Sequence, residues 1–344
     1  MVNKNTAKRF YLFLILIPIL FISACDDNIN NNNEDLQEYD IDVWDYSDNH
    51  YFLDTIYRSS FEDYFNNIGI NSQTDSFSVD DNNFQVWIQT DVQTHDSRRA
   101  GLHIDLSPMP TVGNYPDSLK SVLNPVQGVS ASGLVRLLHS SEYVLNKYAG
   151  YISFKIDIPD NIFAGVAYKR LRTGEKFGTN STDSISSVDT LVLKMIKVQN
   201  LKPLNIIAWK MKLRNIYQLP AIGVSQDGFD FEIKYLKNGV YSTVLPINNL
   251  NQPLITIMGL DKYTNGRSGA PDGKFDFLSG LTIDTENGWI IFPSLSPFVD
   301  KFSTPVNGIT IDPIYWYPEL YSQNKSDAKT FPNADYYLFS GLFK

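Results

Sequence analysis

The chain has 344 residues, with 29 basic against 38 acidic side chains, a net charge of −9, 43% hydrophobic residues and a single cysteine. One cysteine excludes an intrachain disulfide and a thiolate zinc centre, so the folded part must rest on an apolar core. An acidic surface repels phosphate backbones, which argues against nucleic acid as a partner.

At the N-terminus, Lys4, Lys8 and Arg9 precede an apolar run, Phe10–Ile22, broken in character by one proline. At 13 residues the run is shorter than the roughly 20 a helix needs to cross a bilayer, and a basic start with a short apolar stretch reads as an export signal over residues 1–24. It ends Ile22-Ser23-Ala24-Cys25, which is similar to a lipobox. That likeness implies acylation of Cys25, by palmitate or a related chain, and an outer-membrane lipid anchor. Residues 25–49 follow, with Asp26-Asp27, a polyasparagine run and many acids, and read as a flexible tether. Acids directly after the lipidated cysteine resemble the surface-export signal of Bacteroidetes lipoproteins, which implies display on the cell surface, with the periplasmic face as the alternative.

Residues 50–344 are the expected folded part. Phe52, Ile56, Phe61, Phe65 and Ile68 have loosely helical spacing. Phe84–Gln89 and Leu102–Leu106 alternate apolar and polar residues as half-exposed strands do, with a polar turn over Asp96–Arg99. Pro116–Leu138 reads as loop and short helix. Strands at Tyr151–Ile156 and Phe163–Tyr168 flank a turn at Pro159–Asn161. Thr190–Lys197 and Leu204–Tyr217 read as helical, the second with Leu204, Ile207, Ala208, Met211 and Ile216 near one face, and a sub-boundary falls near residues 170–190. Phe229–Tyr235 alternates again.

Turn signals at Pro271-Asp272-Gly273 and Glu286-Asn287-Gly288 set off Phe275–Ile283 and Trp289–Phe292. Phe275, Phe277, Ile291 and Phe292 are therefore expected on strands, in the core. The fold class implied is mainly β: antiparallel, β-sandwich-like, with a few short helices.

Little in the chain points to catalysis. His50, His95, His103 and His139 have no metal-ligand spacing, and Gly128-Val129-Ser130 and Gly223-Val224-Ser225 lack the last glycine of a nucleophile elbow. No cofactor is implied. Asp261, Asn265, Asp272 and Asp276 crowd one glycine-containing loop, and hard oxygen ligands suit Ca²⁺. Their spacing does not fit the EF-hand template. The stretch reads instead as turns in which Asp272 and Asn265 bond their own backbone, with Gly273→Ala expected to matter more than Asp261→Ala. Aromatic clusters at Tyr315-Trp316-Tyr317 and Tyr336-Tyr337 could anchor a partner or fill the core.

One resemblance covers nearly all of residues 50–344. Asp272-Gly273-Lys274-Phe275-Asp276-Phe277, then Gly280-Leu281-Thr282-Ile283, then Asn287-Gly288-Trp289-Ile290-Ile291-Phe292-Pro293, then Pro297-Phe298, resemble in order the motifs of SprA soluble modules. Glu142-Tyr143 with Gly150–Ser153, Ala164–Tyr168, Leu191–Met195 and Trp209–Tyr217 are similar to further segments of that family, in the same order. SprA proteins form the outer-membrane translocon of type IX secretion and gliding motility. Trp289 stands where the family commonly has arginine, and the series of barrel strands is not seen. The resemblance thus implies the module's fold and protein partners in the secretion or motility machinery, without the channel. The function expected is that of a non-enzymatic surface lipoprotein accessory to that machinery, with glycan binding for nutrient capture as the alternative.

Overall fold

A computed structural model describes residues 36–67, 78–111, 113–181, 189–247, 250–264, 268–305 and 310–344. Cys25 and Asn265 lie outside the described residues. The protein is mainly β, 34% strand and 17% helix, in several antiparallel sheets with few short helices. Among the described residues no helix is long and apolar enough to cross a membrane.

The largest sheet closes on itself. Leu191–Lys197 runs parallel to Arg98–His103, and antiparallel pairing continues through Ser130–Leu137, Val79–Gln89 and Ala164–Arg170. Ala164–Arg170 then pairs back onto Leu191–Lys197. With ladders on both edges and packing on both faces, all seven residues of Leu191–Lys197 are buried. This corrects the helical reading of that segment. A strand covered on both faces has no polar alternation to give it away. Its two lysines are satisfied internally: Lys194 Nζ lies 2.9 Å from the Asp54 carboxylate, and Lys197 Nζ donates to the Pro159 and Ile162 carbonyls at 2.8 Å each. Burial pulls the Lys197 pKa down to about 8.

A second sheet runs Gln37–Asp42, Tyr337–Phe343, Asp230–Lys237, Val240–Ser242, all antiparallel. Its first strand corrects the tether boundary, because folding begins at least twelve residues before His50. Tyr39, Ile41 and Val43 alternate with Asp40 and Asp42, and the three apolar residues are buried while the acids face water. That is the period-2 pattern of a half-buried strand, and it outweighs the acidic composition. Gly341, on the neighbouring strand, makes room for it. A Cβ there would lie 2.7 Å from the Tyr39 hydroxyl and 1.9 Å from the Asp230 carbonyl, and the Tyr39 hydroxyl donates to that same carbonyl at 3.0 Å.

Two large apolar cores result, beside a small cluster of Leu106, Tyr115 and Val192, and a small sheet of Ile216–Gln218, Trp289–Ile291 and Ile283–Asp284 separates the two large ones. Alternation sends Ile216, Trp289 and Ile291 into the first core, and Tyr217, Ile283, Ile290 and Phe292 into the second. The strands flanking 170–190, Ala164–Arg170 and Leu191–Lys197, pair within one sheet. Gly288, at φ +67, closes the hairpin by donating its N–H to the Asp284 carbonyl at 2.8 Å, as its turn signal implies.

Three further expectations change. Within Leu204–Tyr217 the helix spans Ile206–Met211 alone; it buries Ala208 and Met211 and leaves Leu204 and Ile207 exposed. Ser130–Leu137, read as loop, is a strand. Ile291 and Phe292 are buried, but Phe275 and Phe277 lie half-buried in an extended loop, packed against the second core.

A candidate anion-binding cleft

Beside the seam between the cores, five segments line a cleft of about 530 Å³: Asp160, Asn200–Lys202 and three that carry most of its charged and aromatic side chains. The first of these three is the chain after the Gln37–Asp42 strand. Val43 and Tyr46 are buried in the second core, and the Tyr217 hydroxyl holds the Val43 carbonyl at 2.9 Å. Trp44 and Asp48 are thereby turned toward the cleft. The second segment carries Trp209, Lys212 and Arg214. Ala208 and Met211 pin the helix to the first core, so Trp209 between them faces the other way, its indole N–H donating to the Tyr321 carbonyl at 2.8 Å. The third is the short helix Lys325–Ala328 with Lys329 beyond it. The helix is capped by the Asn324 side chain, and the Tyr317 hydroxyl grips the Ala328 carbonyl at 2.6 Å.

Five cations line this cleft (Lys202, Lys212, Arg214, Lys325 and Lys329) against two carboxylates, Asp48 and Asp160. In a chain of net charge −9 this is a local inversion of sign. Asp48 is shared: it pairs with Lys212 and, at 2.8 Å, with Lys325. Burial works against ionisation of Asp48, but the two ammonium groups overcome it and hold its pKa below the ordinary carboxylate range. Burial likewise lowers the Lys212 pKa against the pull of Asp48. The Tyr46 ring sits under both lysines, 4.7 Å from Lys325 Nζ and 5.6 Å from Lys212 Nζ.

Arg214 is different in kind. It is 6% exposed, and its guanidinium carbon stacks 3.7 Å over the Trp209 ring. Nη1 donates to the Trp209 and Lys212 carbonyls at 3.1 and 3.4 Å. The Tyr46 phenol lies against the guanidinium as a polar partner, through charge and side-chain hydrogen bonding, and Asp48 adds a longer-range charge interaction. Among the described residues no carboxylate forms an ion pair with Arg214, Lys202 or Lys329. Lys329 lies over Trp44 instead, at 5.3 Å. The arrangement is a cationic surface braced by aromatic rings, with counter-charge for two of its five members.

The residues singled out in the sequence fall elsewhere. Asp261, Asp272 and Asp276 do come together, yet their oxygens are taken by the protein's own donors. Asp261 accepts from the N–H groups of Asp272 and Gly273, each at 2.9 Å, and from the Thr256 hydroxyl at 2.6 Å. Asp276 accepts from the Lys262 N–H at 2.6 Å, and Asp272 from the Lys274 N–H at 3.0 Å, an Asx turn. His50 and Ser153 form a buried pair, Nδ1 to Oγ 2.7 Å, at 0% and 2% exposure, with no surface to meet a substrate. Tyr317 and Tyr337 are core residues. The cleft residues were missed because they lie far apart in sequence. The one local signal was the Tyr39–Val43 alternation, which would have brought Trp44, Tyr46 and Asp48 into the fold.

Neither a known protein family nor a curated protein matches the chain.

Proposed function

We propose that the chain is a non-enzymatic binding protein, held at the outer membrane by a lipid on Cys25 and displayed at the cell surface, with the cationic cleft as its ligand site. The observation that carries the ligand site is the cation excess: five cations line the cleft against two carboxylates, and Lys202, Arg214 and Lys329 form no ion pair among the described residues. Positive charge left unbalanced in a concave surface attracts an anion. The shared motif order with SprA modules supports a role as an accessory of type IX secretion or gliding motility, in which a lipid anchor gives the address and the module presents the interface. A second reading, glycan capture, is favoured by the polar company of the cations: Asp160 and Asn200 line the same cleft and suit a hydroxylated ligand.

The ligand site is tested by titrating the purified full chain with acidic oligomers while following tryptophan fluorescence, since Trp44 and Trp209 flank the cations. Exposed Lys202→Glu and Lys329→Glu should weaken binding roughly tenfold each, and added salt should weaken it further. Anion binding indifferent to both substitutions would place the ligand elsewhere. The anchor has its own test: Cys25→Ser should leave an unprocessed precursor or a soluble protein, and normal processing with membrane retention would contradict it.

A further inference from the structure

We infer that the ligand of the cleft is an acidic saccharide, a sugar chain carrying carboxylate or sulfate groups, rather than a bare anion or an acidic peptide. The inference rests on the reading of the cleft as a ligand site and adds the chemical class of what fills it. Charge comes first: five cations face two carboxylates, and Lys202, Arg214 and Lys329 form no ion pair among the described residues, so a neutral ligand would leave the imbalance standing. Size comes second. A space of about 530 Å³ is far larger than one phosphate or sulfate needs, and suits a ligand of more than one ring.

The third consideration separates a sugar from other polyanions. A site for charge alone gains nothing from carboxylates of its own. Asp48 is accounted for by Lys212 and Lys325, but Asp160 is exposed, lies on the turn after Ile158, and forms no ion pair with any cleft cation among the described residues. Toward an anion it is repulsive. Toward a hydroxyl it is a strong acceptor, and charge-assisted hydrogen bonds to hydroxyl groups are the short, strong ones. The Asn200 amide offers both donor and acceptor, whereas that of Asn324 is engaged by Ser326 and Asp327 in capping its helix. Asn200 is held in the left-handed region at φ 46, with its N–H donating to the Asp160 carbonyl at 2.7 Å, so these two residues are fixed to one another. The aromatic faces fit the same picture. Trp209 carries Arg214 on one face and Trp44 is met by Lys329, so the rings work chiefly as braces for cations, and the ligand is read by charge and hydroxyl bonding.

Asp160 makes the inference testable. Calorimetric titration of the full chain would compare an oligogalacturonate, a chondroitin sulfate oligosaccharide, the methyl-esterified oligogalacturonate that has the same sugars without charge, an oligoglutamate peptide and inorganic phosphate. At least one acidic sugar should bind roughly tenfold or more tightly than the methyl ester and the peptide. Asp160→Ala should then weaken the acidic sugar several-fold while leaving phosphate unchanged or slightly stronger, because a repulsive charge has gone. Val240→Thr, at an exposed position outside the cleft lining, serves as a control expected to retain binding within about threefold. If the peptide matches the best sugar, or Asp160→Ala strengthens every ligand alike, the saccharide inference fails and the cleft stands as a general anion site. If the methyl ester binds as well as its parent, charge is not read and the inference fails. If no acidic ligand binds at all, and the Lys202 and Lys329 variants change nothing, the ligand site itself falls.

Discussion

Around Asp261 the carboxylates are met by the protein's own donors, whereas in the cleft five cations face only two carboxylates. Both regions concentrate charge of one sign, and both draw on residues that the sequence alone could have offered as a site. They differ in what the protein itself supplies. Asp261 is 1% exposed and accepts three hydrogen bonds; Lys202, Arg214 and Lys329 form no ion pair among the described residues. Satisfied charge holds a fold together, and positive charge left unbalanced in a concave surface attracts an anion.

The largest expected effect breaks or upholds that contrast directly. Asp261→Ala removes a buried acceptor that holds three donors and should cost about 3–5 kcal/mol by denaturant unfolding. A loss near zero would mean that the loop's carboxylates are not structural. His50 supplies a second case, a buried group that must stay neutral. Burial takes its pKa from an ordinary 6.5 to about 3, with its Nε2 unpartnered. Between these values the unfolded chain holds a proton that the folded chain lacks, so stability falls as the pH drops through that window, by roughly 1.4 kcal/mol per unit. His50→Gln should flatten the acid limb by about one proton, and an unchanged slope would show that His50 takes up its proton while folded.

Smaller effects sharpen the contrast. Arg214→Met removes the guanidinium's bonds to the Trp209 and Lys212 carbonyls together with its charge, and should cost about 1–2 kcal/mol while weakening anion binding. Gly273 sits at φ +82, but an added Cβ would meet nothing within 4 Å, so Gly273→Ala carries backbone strain alone, about 1 kcal/mol. The sequence-based expectation placed Gly273 above Asp261, and burial reverses that order. The melting curve should be the same in EDTA and in millimolar calcium, because the oxygens of Asp261 already have partners; a calcium-dependent rise abolished by Asp272→Ala would turn the loop into a metal site.

Much of the fold was legible because alternation survives where a strand has one wet face. Asp230–Lys237 and the turn at Asn287-Gly288 are of that kind. Leu191–Lys197 was not legible, since closure of the sheet buries both of its faces and removes the polar half of the pattern. Gln37–Asp42 was hidden for the opposite reason: its outward acids merge with the composition of the preceding segment, although Tyr39, Ile41 and Val43 keep strict period 2. The cleft depends on that strand, for Trp44, Tyr46 and Asp48 follow it. Its remaining cations come from segments more than a hundred residues apart, and no local spacing could have joined Arg214 to Lys325.

The most direct measurement is an NMR titration of the purified full chain, in detergent, with an acidic oligosaccharide. Arginine Nε–H, tryptophan indole and backbone amide signals would be followed together. The expected result is movement of the Arg214 Nε–H and the Trp44 and Trp209 indoles, with perturbed amides along Lys325–Lys329, while the Asp272 and Gly273 amides, bonded to Asp261, stay in place. Shifts centred on the Asp261 loop, or saturable binding with the Arg214 and tryptophan signals unmoved, would contradict the assignment of the cleft as the ligand site.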